Sequence, residues 1–133
     1  MIRYLVIMII VCFSLSAYAN SGWYLFIPPI SEYNKEADFL QAMKVLDKSP
    51  LDEWNHQGSY DTASECEAVK NSFLNIGQRN YARTNKEYID AVGAEESGII
   101  INHKRFLVEM DNANVNSWRS SRCIKSDDPR LAQ

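Results

Sequence analysis

Two histidines are the side chains in this sequence with the widest catalytic use. His56 and His103 could bind a metal ion with nearby carboxylates, and such a centre would activate water in a small hydrolase. The chain has no His-Glu-x-x-His, no Gly-x-Ser-x-Gly and no glycine-rich phosphate loop, however. Because an isolated histidine is more often a surface residue than a ligand, we expect no catalytic residue, metal or cofactor. A metal-assisted hydrolase is kept as an alternative.

Two pairs of neighbouring carboxylates also invite a functional interpretation. Asp52-Glu53 lies beside Trp54, and carboxylates next to an aromatic ring would suit carbohydrate binding. Asp127-Asp128 could contribute to a divalent-cation site, but it precedes Pro129 and so has the usual chemistry of a turn. For both pairs the sequence favours a solvated loop.

The cysteines indicate a covalent link and an oxidising compartment. Cys12 lies in a segment that we expect to be removed, which leaves Cys66 and Cys123. Their intramolecular pairing has one connectivity, and it would close a loop of about 58 residues, to which the chain-entropy model assigns about 4 kcal/mol. An intermolecular bridge and free thiols are the alternatives. No Cys-x-x-Cys motif is present to favour a redox role.

The N-terminal segment has the pattern of a signal peptide. Arg3 supplies a positive charge, Ile2 to Leu15 is apolar, and Ala17 and Ala19 are the small residues expected before a cleavage site. We predict cleavage after Ala19, which gives a periplasmic or extracellular protein with no stable membrane insertion after cleavage. The apolar run is short for a membrane span of about 20 residues, so an uncleaved anchor is the weaker alternative.

Length and charge limit the domain organisation and the possible partners of the mature protein. Removal of residues 1–19 from a chain of 133 leaves 114, which predicts a single domain over residues 20–133. Because the signal peptide contains one of the 14 basic residues, the mature chain has 13 basic and 17 acidic residues and a net charge of −4. No dense basic cluster is present, which argues against nucleic-acid binding.

The first half of the mature chain alternates strand and helix signals. Gly22 to Ile27 is aromatic and β-branched, which predicts a strand covered on both faces. Four apolar residues at helical spacing predict a helix that Pro50 ends: Phe39, Ala42, Met43 and Leu46.

The segment from Trp54 to Tyr60 is a second strand candidate. Thr62 and Glu65 then have the spacing of a capping box, so a helix should begin there with Cys66 in its first buried turn. We predict that Gly77 ends or kinks this helix.

The second half is less clearly patterned. We predict a short helix around Lys86 to Ala91, then a hairpin of Ile99 to Ile101 and Phe106 to Val108; a helix through residues 106–113 is left open. A last strand over Trp118 to Ser126 would contain Cys123. The expected fold is α+β, with a small antiparallel sheet, two or three helices packed on one face, and one disulfide. A parallel pair within the sheet remains an alternative.

Four motifs carry a resemblance to a family of short exported bacterial proteins of unknown function. They are Gly22-Trp-Tyr-Leu-Phe-Ile-Pro-Pro29, Ser49-Pro-Leu-Asp-Glu-Trp54, Gly58-Ser-Tyr-Asp-Thr-Ala63 with Cys66-Glu67, and Ser121-Arg-Cys-Ile-Lys-Ser-Asp-Asp-Pro-Arg-Leu131. The resemblance leaves Ser31 to Lys48 and Asn75 to Ser117 without support. It implies a bacterial exported protein in which both cysteines belong to the shared pattern, and it implies no activity or cofactor.

We therefore expect a binding or accessory module of the cell envelope. Aromatic residues are enriched in interfaces, and the candidate surface residues are Trp23, Trp54, Tyr60 and Trp118, with Tyr24 nearby in sequence. The partner would be an unknown protein or another envelope component. A small hydrolase using His56 and His103 and a purely structural envelope protein are the alternatives. Clustering of the aromatic residues in one exposed patch would favour the binding module.

Overall fold

The computed structural model describes residues 22–32 and 43–132. This part contains three strands and two long helices: β1 (Trp23–Ile27), β2 (Asn55–Tyr60), α1 (Ala63–Gly93), α2 (Gly98–Ser120) and β3 (Arg122–Lys125). Single 3-10 turns precede β2 and follow β3, at Leu51–Glu53 and Pro129–Leu131. The predicted signal peptide over residues 1–19 and the predicted start at Asn20 lie outside the described residues.

The strands form one antiparallel sheet in the order β2-β1-β3, and the predicted α+β fold with two helices and one disulfide is confirmed. β1 is the central strand, which explains why its sequence is apolar throughout. Leu25 is fully buried and Ile27 nearly so, whereas Tyr24 and Phe26 alternate with them and are half-buried. Pro28 and Pro29 end the strand because proline cannot donate to the ladder.

The edge strand β2 is polar and irregular. The register shifts between Leu25 and Phe26 of β1, so that Gln57 of β2 has no partner. Gly58 follows, and a Cβ there would lie 2.8 Å from the Tyr60 hydroxyl oxygen, so the Tyr60 ring lies over a position without a side chain. A bulge and a polar edge are the usual protection of a sheet against pairing with another chain.

Helix α1 begins as predicted and continues much further. Thr62 and Glu65 form the capping box, with Glu65 N–H donating to Thr62 Oγ1 at 3.1 Å and Thr62 N–H donating to Glu65 Oε2 at 3.2 Å. Gly77 does not end the helix, because α1 runs to Gly93. A kink at Gly77 stays a prediction. The short helix predicted around residues 86–91 is the last part of it.

Helix α2 replaces the predicted hairpin. Ile99 to Ile101 and Phe106 to Val108 are turns of one helix, so the hairpin prediction is wrong and the alternative that was left open is right. Of the β-branched residues that suggested strands, Ile101 and Val108 are seven residues apart and less exposed, whereas Ile99 and Ile100 are exposed on the helix. The strand predicted over residues 118–126 is shorter, because Trp118 is still helical and β3 begins at Arg122.

The two helices pack as an antiparallel hairpin with a seven-residue repeat. Small or buried α1 residues face β-branched α2 residues at this interval: Gly77, Thr84 and Ala91 on α1, and Ile101, Val108 and Val115 on α2. A Cβ at position 77 would lie 3.3 Å from Val115 Cγ2, so the absence of a side chain at Gly77 leaves room for Val115. Thr84 Oγ1 donates to Asp111 Oδ2 at 3.0 Å within this interface.

The segment before the 3-10 turn is extended. Ile30 and Val45 form an isolated antiparallel bridge, with Ser31 N–H donating to the Lys44 carbonyl at 2.8 Å and Leu46 N–H donating to the Pro29 carbonyl at 2.9 Å. The predicted helix is therefore wrong for its C-terminal end at residues 43–46, and Phe39 and Ala42 lie outside the described residues.

Candidate functional site

The predicted disulfide is formed. Cys66 and Cys123 are bonded, with their Cα atoms 6.0 Å apart. Cys66 is fully buried in the first turn of α1, and Cys123 lies opposite Leu25 in the register of β1 with β3. The bridge therefore ties the start of the helical hairpin to the middle of the sheet.

The four predicted surface aromatics lie in three places rather than in one patch. Trp23 and Tyr60 are cross-strand partners at one end of β1. Trp54 is buried beside the other end, with 6% of its surface exposed, and its Nε1 donates to the Ser49 carbonyl at 3.0 Å. Trp118 stacks on Phe73 with ring centroids 4.6 Å apart and planes 6° from parallel. The role of these residues in binding remains a prediction.

The two histidines lie in unrelated surroundings. His56 is on β2, where its ring is 5.3 Å from the ring centroids of both Tyr24 and Phe26. His103 is exposed on α2. Within residues 22–32 and 43–132, no group of three or more His, Cys, Asp or Glu side chains could bind a metal ion.

The carboxylate pairs have local partners or face solvent. Asp52 and Glu53 are exposed in the 3-10 turn, as a solvated loop predicts. Asp127 accepts from Lys125 Nζ at 2.8 Å, and Asp128 caps the 3-10 turn that follows it by accepting from Arg130 N–H at 2.9 Å.

A groove of about 340 Å³ is the site at which distant functional side chains meet, and we call it the cationic groove. It is lined by Asp47, Lys48, Ser49, Leu51, Trp54, Arg122 and Arg130. The first five residues precede β2, and the last two lie on β3 and on the 3-10 turn after it. About 70 residues of sequence, including the whole helical hairpin, separate the two segments.

Among the residues that line this groove, Arg122 has the most hydrogen-bond donors without a partner in the described part of the chain. Its guanidinium carbon lies 5.1 Å from the centroid of the Trp54 ring, a cation–π contact. Trp54 is itself fixed by its bond to the Ser49 carbonyl, so the ring is a rigid platform. Among the described residues no carboxylate pairs with Arg122 within 4.0 Å, which leaves the donors at the edge of its guanidinium for other partners.

Lys48 adds a further donor to the groove, and Ser49 carries a buried hydroxyl beside it. Lys48 is exposed and forms no ion pair with any described carboxylate. The Ser49 hydroxyl is buried and has no hydrogen-bond partner in the described part of the chain. Since a buried hydroxyl without a partner costs free energy, this Oγ is a place where an ordered water would be stabilising.

Arg130 is held in place by a carboxylate that does not line the groove. Its Nε and Nη2 donate to the two oxygens of Asp128 at 2.9 and 2.7 Å. This side-chain hydrogen bond, with the backbone bond from the same residue, lowers the pKa of Asp128 from 3.8 to about 2. The pair therefore stays ionised at neutral pH, and Arg130 contributes less free charge to the groove than Arg122.

A second groove, of about 360 Å³, has a different chemistry. Trp118 lines it with three amide side chains, Asn55, Gln57 and Asn114, over the apolar Ile27, Pro28 and Ile30. We call it the amide groove. Ser117 is also at this groove, but its hydroxyl donates to the Pro28 carbonyl at 2.8 Å and is not available.

Sequence reasoning missed Lys48, Arg122 and Arg130. Each is an isolated basic residue in the sequence, and only their assembly around Trp54 creates a cationic surface. The available signal was indirect, because Ser49 to Trp54 and Ser121 to Leu131 both belong to the motifs of the resemblance.

Comparison with known proteins gives no relative: no protein-family model, curated protein or solved structure matches the chain. Within the described part of the chain, no helix is both long enough and apolar enough to cross a membrane.

Proposed function

We propose that this protein is an exported binding module of the bacterial cell envelope, in which the cationic groove is the recognition site. The signal-peptide pattern over residues 1–19 and the disulfide both agree with export, because a disulfide persists outside the reducing cytosol. The resemblance to short exported bacterial proteins points the same way.

One observation carries the proposal. Arg122 lies against a buried tryptophan and pairs with no carboxylate of the described residues, at the point where two distant segments of the chain meet. Arg122 is exposed, so a solute can reach its guanidinium. Contact with the Trp54 ring restricts this guanidinium before a partner binds, which lowers the entropic cost of binding.

Binding is better supported than hydrolysis. A hydrolase would need a nucleophile with a base, paired carboxylates or a metal centre. The cationic groove offers donors and positive charge but no histidine or cysteine, and Asp47 is the one carboxylate that lines it. Such a set can hold a ligand without activating water.

Site-specific cross-linking in living cells tests the proposal. A photo-cross-linking amino acid would replace Lys48 at the groove, and, as matched control, Lys44, which is exposed four residues earlier but does not line the groove. We expect an adduct from position 48 that is reduced when Arg122→Gln is added, and none from position 44. Equal adducts from both positions, or none from either, would contradict the assignment of the site.

The amide groove is the second candidate site, because its stacked Trp118 and three amides suit a sugar or a peptide. The same experiment distinguishes the two grooves when the cross-linker also replaces Gln57. An adduct at position 57 without one at 48 would move the recognition site to the amide groove.

Export has its own test. The intact mass of the protein recovered from the envelope fraction should correspond to a chain that starts at Asn20. A species that keeps residues 1–19 and stays with the membrane would show that the segment is an anchor.

A further inference from the structure

We propose that the cationic groove binds an oxyanion, a phosphate or carboxylate group of an envelope component, with Arg122 as its main contact. This inference rests on the proposed function and adds the chemical class of the ligand. It follows from the donors that the groove presents, from the charge around them and from the space beside them.

The groove carries hydrogen-bond donors that suit an oxyanion. The Arg122 guanidinium carbon lies 5.1 Å from the centroid of the Trp54 ring, and no described carboxylate pairs with this side chain. The N–H groups of a guanidinium can bind two oxygens of one phosphate or carboxylate at once. Lys48, which is exposed, adds an ammonium group. All of these donors fit an acceptor group with several oxygens.

The charges of the side chains that line the groove also favour an anion. Three cationic side chains and one carboxylate line the groove. Asp128 neutralises part of the Arg130 charge, and Asp47 opposes the binding of an anion, yet Lys48 and Arg122 remain without an ion-pair partner among the described residues. The excess of positive charge is local, because the mature chain as a whole is acidic.

The available space suits a small group. A volume of about 340 Å³ is at the lower end of the range for small-molecule sites. Leu51 and Trp54 provide apolar surface beside the cations, so the part of the molecule that carries the anion can contact them. The groove thus suits the charged end of a larger molecule.

Titration of the mature protein with sodium phosphate, and separately with sodium acetate, tests the inference at constant ionic strength kept with sodium chloride. The readout is the indole N–H signal of each of the three tryptophans in a ¹H–¹⁵N spectrum. We expect a saturable shift of the Trp54 signal, whereas Trp23 and Trp118 serve as internal controls and should not shift. A Trp54 signal that moves with neither anion would overturn the proposal.

Variants identify the contacts. Arg122→Gln should weaken binding at least about tenfold, since a charge-assisted bidentate bond is lost, and Arg122→Lys should give an intermediate affinity because it keeps only the charge. Arg119→Gln removes an arginine that does not line the groove, and it should leave the affinity within about twofold. Equal affinity of wild type and Arg122→Gln would reject Arg122 as the contact. The wild-type titration decides the anion question even if a variant folds poorly.

Two further comparisons are needed. Vesicle binding distinguishes the possible sources of the anion, and the cross-linking result distinguishes failure of the oxyanion proposal from failure of the binding-module proposal. Vesicles of phosphatidylglycerol in phosphatidylcholine should bind in a manner dependent on Arg122 if the ligand is a lipid phosphate. Binding of free phosphate or acetate without vesicle binding would assign a soluble or polymer-bound anion. If no anion shifts Trp54 but position 48 still cross-links, the oxyanion proposal fails and the binding module stands.

Discussion

The sheet end of the molecule and the helical hairpin are built on opposite principles. At the sheet end, β1, the segment of β2 and the first turn of α1, and β3 come from three parts of the sequence, and one disulfide joins α1 to β3. In the hairpin, α1 and α2 are neighbours in sequence that a four-residue turn connects. The first arrangement brings distant side chains to one place, so it can create a site. The second arrangement gives two long helices that contact each other along a regular seam.

Exposure of apolar side chains shows the same contrast. The turn end of the hairpin carries four exposed aliphatic residues: Ile89 at 58%, Val92 at 46%, Ile99 at 84% and Ile100 at 44%. At the sheet end, Leu25, Ile124 and Trp54 are buried. Two helices alone can cover only one stripe of each other, so the hairpin depends on a narrow seam while the sheet end has a core.

The largest expected effect is loss of the disulfide. Cys66→Ser or Cys123→Ser should lower the free energy of unfolding by about 2–5 kcal/mol, because the unfolded chain regains the entropy of an open loop. The double variant should be little worse than either single one, since one bond is lost once. Denaturant unfolding measures this. Additive losses in the double variant would mean that the two residues contribute independently. A covalent bond between distant segments would then not be what distinguishes the sheet end from the helical hairpin.

The hairpin seam gives the next effect. Val108→Ala, at a side chain with 3% exposure, should cost about 2 kcal/mol from the lost methyl groups and the space left behind. Val92→Ala is the matched control, since Val92 is exposed near the end of α1, and it should change stability by less than about 0.5 kcal/mol. Equal losses by thermal or chemical unfolding would show that the seam does not concentrate the packing energy.

A stabilising change is expected at the turn between the helices. Glu95 has a φ of 55°, while its N–H donates to the Val92 carbonyl and Glu96 N–H donates to the Ala91 carbonyl, the pattern of a Schellman motif. Glu95→Gly should therefore stabilise by about 1 kcal/mol, because glycine adopts this conformation without steric cost. Ala94→Gly, at a φ of −86°, should instead destabilise slightly. Unfolding of both variants tests the sign.

The smallest effect is electrostatic and lies beside the cationic groove. The pKa of Asp128 is lowered to about 2, so the pairing with Arg130 contributes above the unfolded value near 3.8 and is lost as the pH falls through about 2. Arg130→Gln should raise this pKa toward 3.8, though not fully, since the backbone N–H still donates. Lys125→Gln, which removes the partner of Asp127, should leave Asp128 unchanged. NMR titration of the side-chain carboxyl carbons measures each value.

Local signals in the sequence predicted the parts of the fold that local interactions control. The capping box of Thr62 and Glu65, the central apolar strand before Pro28 and the pairing of two cysteines were all readable, because each depends on neighbouring residues or on a single connectivity. The same reasoning failed at Ile99 to Val108. A short β-branched run fits a strand and a buried helix face equally, and only the partner helix α1 decides between them.

The sequence by itself therefore determined the residue types that form each strand and helix, the disulfide between Cys66 and Cys123, and the signal-peptide pattern. The tertiary structure decided that Gly77 is a point of helix contact rather than a helix end, and that Arg122 lies on Trp54. The reason is the range of the interactions. Caps and prolines act within a few residues, whereas the cationic groove exists only after sheet formation and the Cys66–Cys123 bridge bring together two segments about 70 residues apart in sequence.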